Sequence, residues 1–120
     1  MRGLTVVVAE ANPSRLRTAL LLALAQAALD GRARLFLDAR AVPALRLPIG
    51  AEDDDAYGAA GQPALARLVD DALDAGVEIT LCQTGLQLAG LEAHALDPRL
   101  LFGGIVGLLA SLGDDRLVTL

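Results

Sequence analysis

Gly76, Val77, Glu78, Ile79, Thr80, Leu81, Cys82, Gln83, Thr84 and Gly85 decide how this chain is read. A glycine stop precedes a short apolar run, and the run ends on a thiol followed by a polar turn. Runs of this length bounded by turn residues are buried strands. In an open α/β sheet, functional groups gather at the carboxyl ends of strands, where loops and helix N-termini meet. Cys82 stands at such an end and is the only cysteine of the chain.

The same punctuation repeats on both sides of this segment. Residues 4–9 are a nearly continuous apolar run, the pattern of a parallel strand covered on both faces. Asn12 as N-cap and Pro13 at the first helical position open a helix expected to reach about Asp30, with Gly31 as its left-handed stop. Residues 34–38 give a second strand. Residues 39–62 read as an irregular, mobile excursion whose carboxylates Glu52, Asp53, Asp54 and Asp55 are expected to be solvated. Pro63 opens a helix with Leu65, Leu68, Val69, Ala72 and Leu73 at helical spacing, and Gly76 closes it. After the cysteine strand come a brief helix over about residues 85–91, a strand at 100–102, a glycine-spaced helix at 104–112 and a last strand at 116–120. Strands alternating with helices predict one α/β domain, residues 1–120, with a parallel sheet and helices on both faces.

The first helix is apolar all round between Ala19 and Ala25, where a surface helix shows a polar face. Either its own fold encloses it or a neighbouring subunit covers it, and the small size of the chain favours the subunit. Hydrophobic residues make up 54% of the sequence and aromatic ones 2%, so Leu, Val, Ile and Ala must build the core. That much apolar surface on a small body favours a homo-oligomer.

Composition excludes several function classes. All ten basic residues are arginine, the net charge is -5, and neither a basic stripe nor an aromatic stacking set is present, which argues against direct nucleic-acid binding. One cysteine makes no internal disulfide, no signal-peptide pattern opens the chain, and the apolar runs at 19–29 and 100–112 fall short of the roughly 18 residues of a spanning helix. A cytoplasmic protein without membrane contact is expected. The four consecutive carboxylates match no calcium-loop spacing, and one Cys with one His lacks paired metal spacing, so no metal and no cofactor are expected.

The chemistry therefore centres on one sulfur. The thiolate is the reactive form, and backbone N–H groups opening a helix after Cys82 supply positive potential that favours it. Gly85 permits a tight turn that leaves the sulfur approachable. With no second cysteine to resolve an oxidised state, a self-contained dithiol oxidoreductase is disfavoured, while a thiol that accepts sulfur as a persulfide and passes it on needs no partner cysteine in the chain. The competing reading of Cys82 is a small buried hydrophobe. His94 reads as solvent-exposed, Ser14 as part of a helix start, and the stretch Gly103, Gly104, Ile105, Val106, Gly107 as close helix packing, since it fits neither dinucleotide nor P-loop spacing.

From Gly76 to Leu91 the string GVEITLCQTGLQLAGL resembles the hallmark segment of the DsrE/DsrF/TusD-like family of small sulfur-relay proteins. There too a glycine-started strand ends in a cysteine and a short helix leads to a Gly-Leu pair, here Gly90 and Leu91. The likeness extends from the opening strand and its Asn12, Pro13 turn to the ending at Asp115, Arg116, Leu117, Val118 and Thr119. Ala89 departs from it, because many relatives carry an arginine at that place. The resemblance implies a three-layer α/β/α sandwich around a five-stranded parallel sheet, assembled as homo-trimers or homo-hexamers. It implies that Cys82 carries persulfide sulfur from a donor protein to an acceptor protein, a sulfurtransferase-type role, with Gln83, Thr84 and Gly85 shaping the helix start and Asn12 and Arg40 near the same rim. The alternative is a non-catalytic oligomeric interaction or small-ligand-binding module of the same fold.

Overall fold

Five strands form one parallel sheet: β1 (Leu4–Glu10), β2 (Ala33–Arg40), β3 (Glu78–Cys82), β4 (Leu101–Gly103) and β5 (Arg116–Thr119). Their spatial order is β4-β3-β2-β1-β5, so the first strand lies inside the sheet and the last at an edge. The computed structural model describes residues 1–120. Between the strands lie α1 (Pro13–Ala28), a 3-10 turn at Val42–Leu45, α2 (Asp54–Ala59), α3 (Leu65–Asp74), α4 (Gln83–Ala89), a second 3-10 turn at Ala93–Ala95 and α5 (Ile105–Ala110).

Side chains alternate across a strand, and the parallel register carries that alternation from strand to strand. Val6 pairs with Leu35 and Leu35 with Ile79; Val8 pairs with Leu37 and Leu37 with Leu81. All six are buried, facing the buried sides of α1 (Leu16, Ala19, Leu20, Ala23) and α3 (Leu65, Leu68, Val69, Ala72). The steps β1 to β2, β2 to β3 and β3 to β4 all run in one direction across the sheet, so right-handed crossovers lay α1, α3 and α4 on one face. The step from β4 to β5 runs back past the three inner strands and lays α5 alone on the other face. No helix is long and apolar enough to cross a membrane.

Asn12 caps α1 as expected, its side-chain oxygen accepting from the Arg15 N–H at 3.1 Å. The stop differs. Asp30, not Gly31, takes the left-handed conformation, with φ at 62°. Gly31 is needed for space, because a Cβ there would run into the Gln26 side chain and the Met1 sulfur. The outer side of α1 leaves Leu21, Leu22 and Leu29 exposed, while its inner side is enclosed by the chain itself.

The acidic segment is also ordered differently from the sequence expectation. Asp54 is a latch rather than a solvated loop charge: it accepts from the N–H groups of Leu65 at 3.0 Å and Ala51 at 3.1 Å, and it meets Arg17 at 3.4 Å. Arg17 is buried on α1, donates to the Pro63 carbonyl at 2.9 Å and lies 3.7 Å from the Tyr57 ring centroid. Three interactions of Arg17, with Asp54, Pro63 and Tyr57, thus tie α2 and its flanks to α1.

The Leu65 and Ala51 amides, then Arg17, hold the Asp54 carboxyl below the ordinary carboxylate range. A depressed folded-state value means that its contribution is complete above an unfolded pKa of about 3.9 and is lost as the pH falls through the lower folded value. Asp54→Asn is expected to open the segment from residue 50 to 64 at neutral pH. Limited proteolysis checks it: cleavage there should speed up in the variant, and in the wild type only under acid conditions.

Candidate functional site

The two faces part at the carboxyl ends of β3 and β4. From Cys82 the chain enters α4 on one face, and from Gly103 it enters α5 on the other. Adjacent parallel strands whose connections leave to opposite faces open a crevice between them, the usual ligand position in open α/β sheets. Cys82 and Gly103 are register partners across this point.

The crevice holds about 350 Å³ and is lined by Cys82, Gln83 and Thr84 from the β3–α4 junction, Gly103, Gly104 and Ile105 from the β4–α5 junction, and Asp38 and Ala39 from β2. Gly103 keeps it open, since a Cβ there would lie 3.3 Å from the Thr80 methyl. Gly104 has open space around it and opens α5 in an extended conformation. Close helix packing, the reading drawn from sequence, therefore does not explain these two glycines; they form a wall of the crevice. Larger hollows exist, one of about 490 Å³ lined by Pro13, Pro43, Arg46, Pro48 and Leu65 among others, but none of them holds the thiol.

Cys82 is itself the N-cap of α4, because that helix starts at Gln83 rather than near Gly85. The residue is 8% exposed and lines the crevice. The cysteine and Asp38 lie on the same face of the sheet: Phe36 pairs with Thr80, and both residues lie two positions further on. Asp38 and Cys82 are the only ionisable groups in the lining. The aspartate escaped the sequence reading, although strand parity signals it once the register is known.

Gly85 stands behind the crevice rather than in it. A Cβ there would lie 2.5 Å from both the Ala39 carbonyl oxygen and the Val42 side chain, so the glycine lets α4 press against the end of β2. Asn12 and Arg40 do not line the crevice. Asn12 caps α1 and borders a separate hollow with Glu52 and Asp53; Arg40 is exposed at the end of β2, paired in register with Glu10. His94 is 81% exposed, meets Glu92 at 3.3 Å and does not line the crevice. No cluster of three or more potential metal ligands is present.

No protein-family profile and no curated protein matches the chain. Solved structures do. The crystal structure of the ychN protein from E. coli superposes with a TM-score of 0.74 at 23% identity, with 100% of both chains covered. A protein of unknown function, MTH1491 from Methanobacterium thermoautotrophicum, superposes with a TM-score of 0.65 at 13% identity, again over 100% of both chains. At these identities the likeness is one of fold. The chain thus has a five-stranded parallel α/β sandwich and shares the fold of the ychN protein.

Proposed function

We propose that this chain is a small cytoplasmic sulfur carrier, working as a homo-oligomer, in which Cys82 takes up sulfane sulfur as a persulfide and hands it to an acceptor protein. The supporting observation is the position of the only thiol in the lining of the crevice where β3 and β4 part. The chemistry balances without an added oxidant. The Cys82 thiolate attacks the outer sulfur of a donor persulfide, a new S–S bond forms, and the donor leaves as its own thiolate. In the second half the acceptor thiolate attacks the outer sulfur of the Cys82 persulfide and releases the Cys82 thiolate. Gln83 and Thr84 follow the sulfur at the helix start and line the same crevice, where a donor or acceptor persulfide would enter.

A second reading, an interaction or small-ligand module of the same fold, is favoured by the low exposure of Cys82 and by the Asp38 carboxylate in the same lining. One experiment separates the two. After incubation with a low-molecular-weight persulfide, mass spectrometry should find one added sulfur atom on Cys82, removable by a reductant and absent in Cys82→Ser. A native thiol that stays unmodified, and reacts with iodoacetamide only in denaturant, refutes the carrier and leaves the module.

A further inference from the structure

Charge at the crevice is one-sided. Leu37 pairs with Leu81 and Cys82 with Gly103, so Asp38, Cys82 and Gly103 form one row across β2, β3 and β4. Neighbouring strands lie about 4.8 Å apart, which makes the carboxylate the next side chain to the sulfur on that side. On the other side Gly103 contributes no side chain at all. The rest of the lining, Ala39, Gln83, Thr84, Gly104 and Ile105, is neutral, and none of the ten arginines of the chain belongs to it.

Nothing within the chain neutralises that carboxylate. Asp54 is held by two amides and Arg17, whereas Asp38, half-buried, enters no ion pair. A charge beside low-dielectric walls acts on an incoming group more strongly than the same charge in open water. At about 350 Å³ the crevice is small for a ligand site, so groups within a few bonds of the entering sulfur come nearest to Asp38.

We propose that Asp38 is the specificity-determining residue of this site: it admits to Cys82 sulfur donors that carry positive charge beside their sulfur and turns away anionic donors such as thiosulfate. The inference rests on the reading of Cys82 as the sulfur-accepting group. The transfer keeps its balance, with the Cys82 thiolate attacking the outer sulfur and the donor leaving as a thiolate. A departing thiolate brings a new negative charge past Asp38, and a positive group on the same donor offsets it. An anionic donor has no such offset and meets repulsion both on entry and on leaving.

Two thiol reagents of equal length and opposite charge test this, aminoethyl and sulfonatoethyl methanethiosulfonate. Their rate ratio on native Cys82, relative to the ratio on a neutral cysteine derivative, should favour the cation by on the order of tenfold. It should fall several-fold in Asp38→Asn, and in the wild type it should shrink in concentrated salt. Both reagents meet the same thiol, so its ionised fraction and any general loosening of the crevice cancel from the ratio. The salt measurement needs no variant and stands even if Asp38→Asn fails to fold. A wild-type ratio equal to that of the reference thiol, or a preference that survives in folded Asp38→Asn, overturns the role of Asp38. Sulfur loading is read separately, with the persulfides of cysteamine and of mercaptoethanesulfonate. Loading from both at equal rates refutes the charge selection alone, charge-selective labelling of a chain that neither persulfide loads refutes the carrier alone, and a native thiol inert to every reagent refutes both.

Discussion

Gly85→Ala lowers stability by about 1–3 kcal/mol, the usual range for overpacking a close contact, and the melting temperature by roughly 4–12 °C for a chain of this size. Alanine is otherwise the better helix residue, so the sign rests on geometry. The new methyl meets the Ala39 carbonyl oxygen and Cα, which are backbone and cannot turn aside. Either α4 lifts or β2 bends, and Cys82, the N-cap of that helix, moves with it. Gly58→Ala is the matched comparison, since it is helical, lacks a positive φ and has open space where the Cβ would go. That variant should gain up to about 1 kcal/mol. Urea denaturation of both decides the matter, and a Gly85→Ala chain as stable as wild type would show that the α4–β2 contact yields freely.

Asp115→Ala has the larger effect. The carboxylate is buried before β5, accepts from the Thr5 hydroxyl at 2.8 Å and lies 3.7 Å from the Arg34 guanidinium. Arg34, also buried, donates to the Thr5 hydroxyl at 3.1 Å, to the Ser111 hydroxyl at 2.7 Å and to the Leu108 carbonyl at 3.4 Å. One hydroxyl thus both donates to the anion and accepts from the cation, and the group fastens the end of α5 to the sheet. Removing the carboxylate strands a buried guanidinium, a change that costs about 3–5 kcal/mol. Against a total of roughly 6–18 kcal/mol for a domain of this length, that is a large fraction. Arg34→Met combined with Asp115→Ala should recover part of the loss, because the stranded charge goes with it. Equal destabilisation by the single and double variants, measured by urea midpoints, would contradict this account.

Much of the scaffold was legible from residue pattern. Apolar runs located all five strands, Asn12 with Pro13 marked the start of α1, and Gly76 marked the stop before β3, where φ is 87°. These are local signals, each settled within a turn of chain. What escaped depends on partners far away in sequence. Asp54 looks like one of four equal loop carboxylates until Leu65, Ala51 and Arg17 converge on it. Arg34 reads as a charge in a strand, and only register shows that it shares a buried face with Thr5.

The crevice was legible in part, for related reasons. Cys82, Gln83 and Thr84 are adjacent in sequence, and one strand end places all three. Asp38 and Gly103 come from other strands and needed the sheet order. Gly31 and Asp30 divide their roles by a side-chain collision that no turn rule contains.

The inner position of β1 also governs how the chain can assemble in time. Its two hydrogen-bonded neighbours are β2, about thirty residues on, and β5, more than a hundred residues on. Closing the longer loop is entropically expensive and slow, so it comes late. A growing polypeptide that has not yet released its final strand presents Leu4 to Val8 as an open, sticky border, the kind that invites wrong partners at the ribosome.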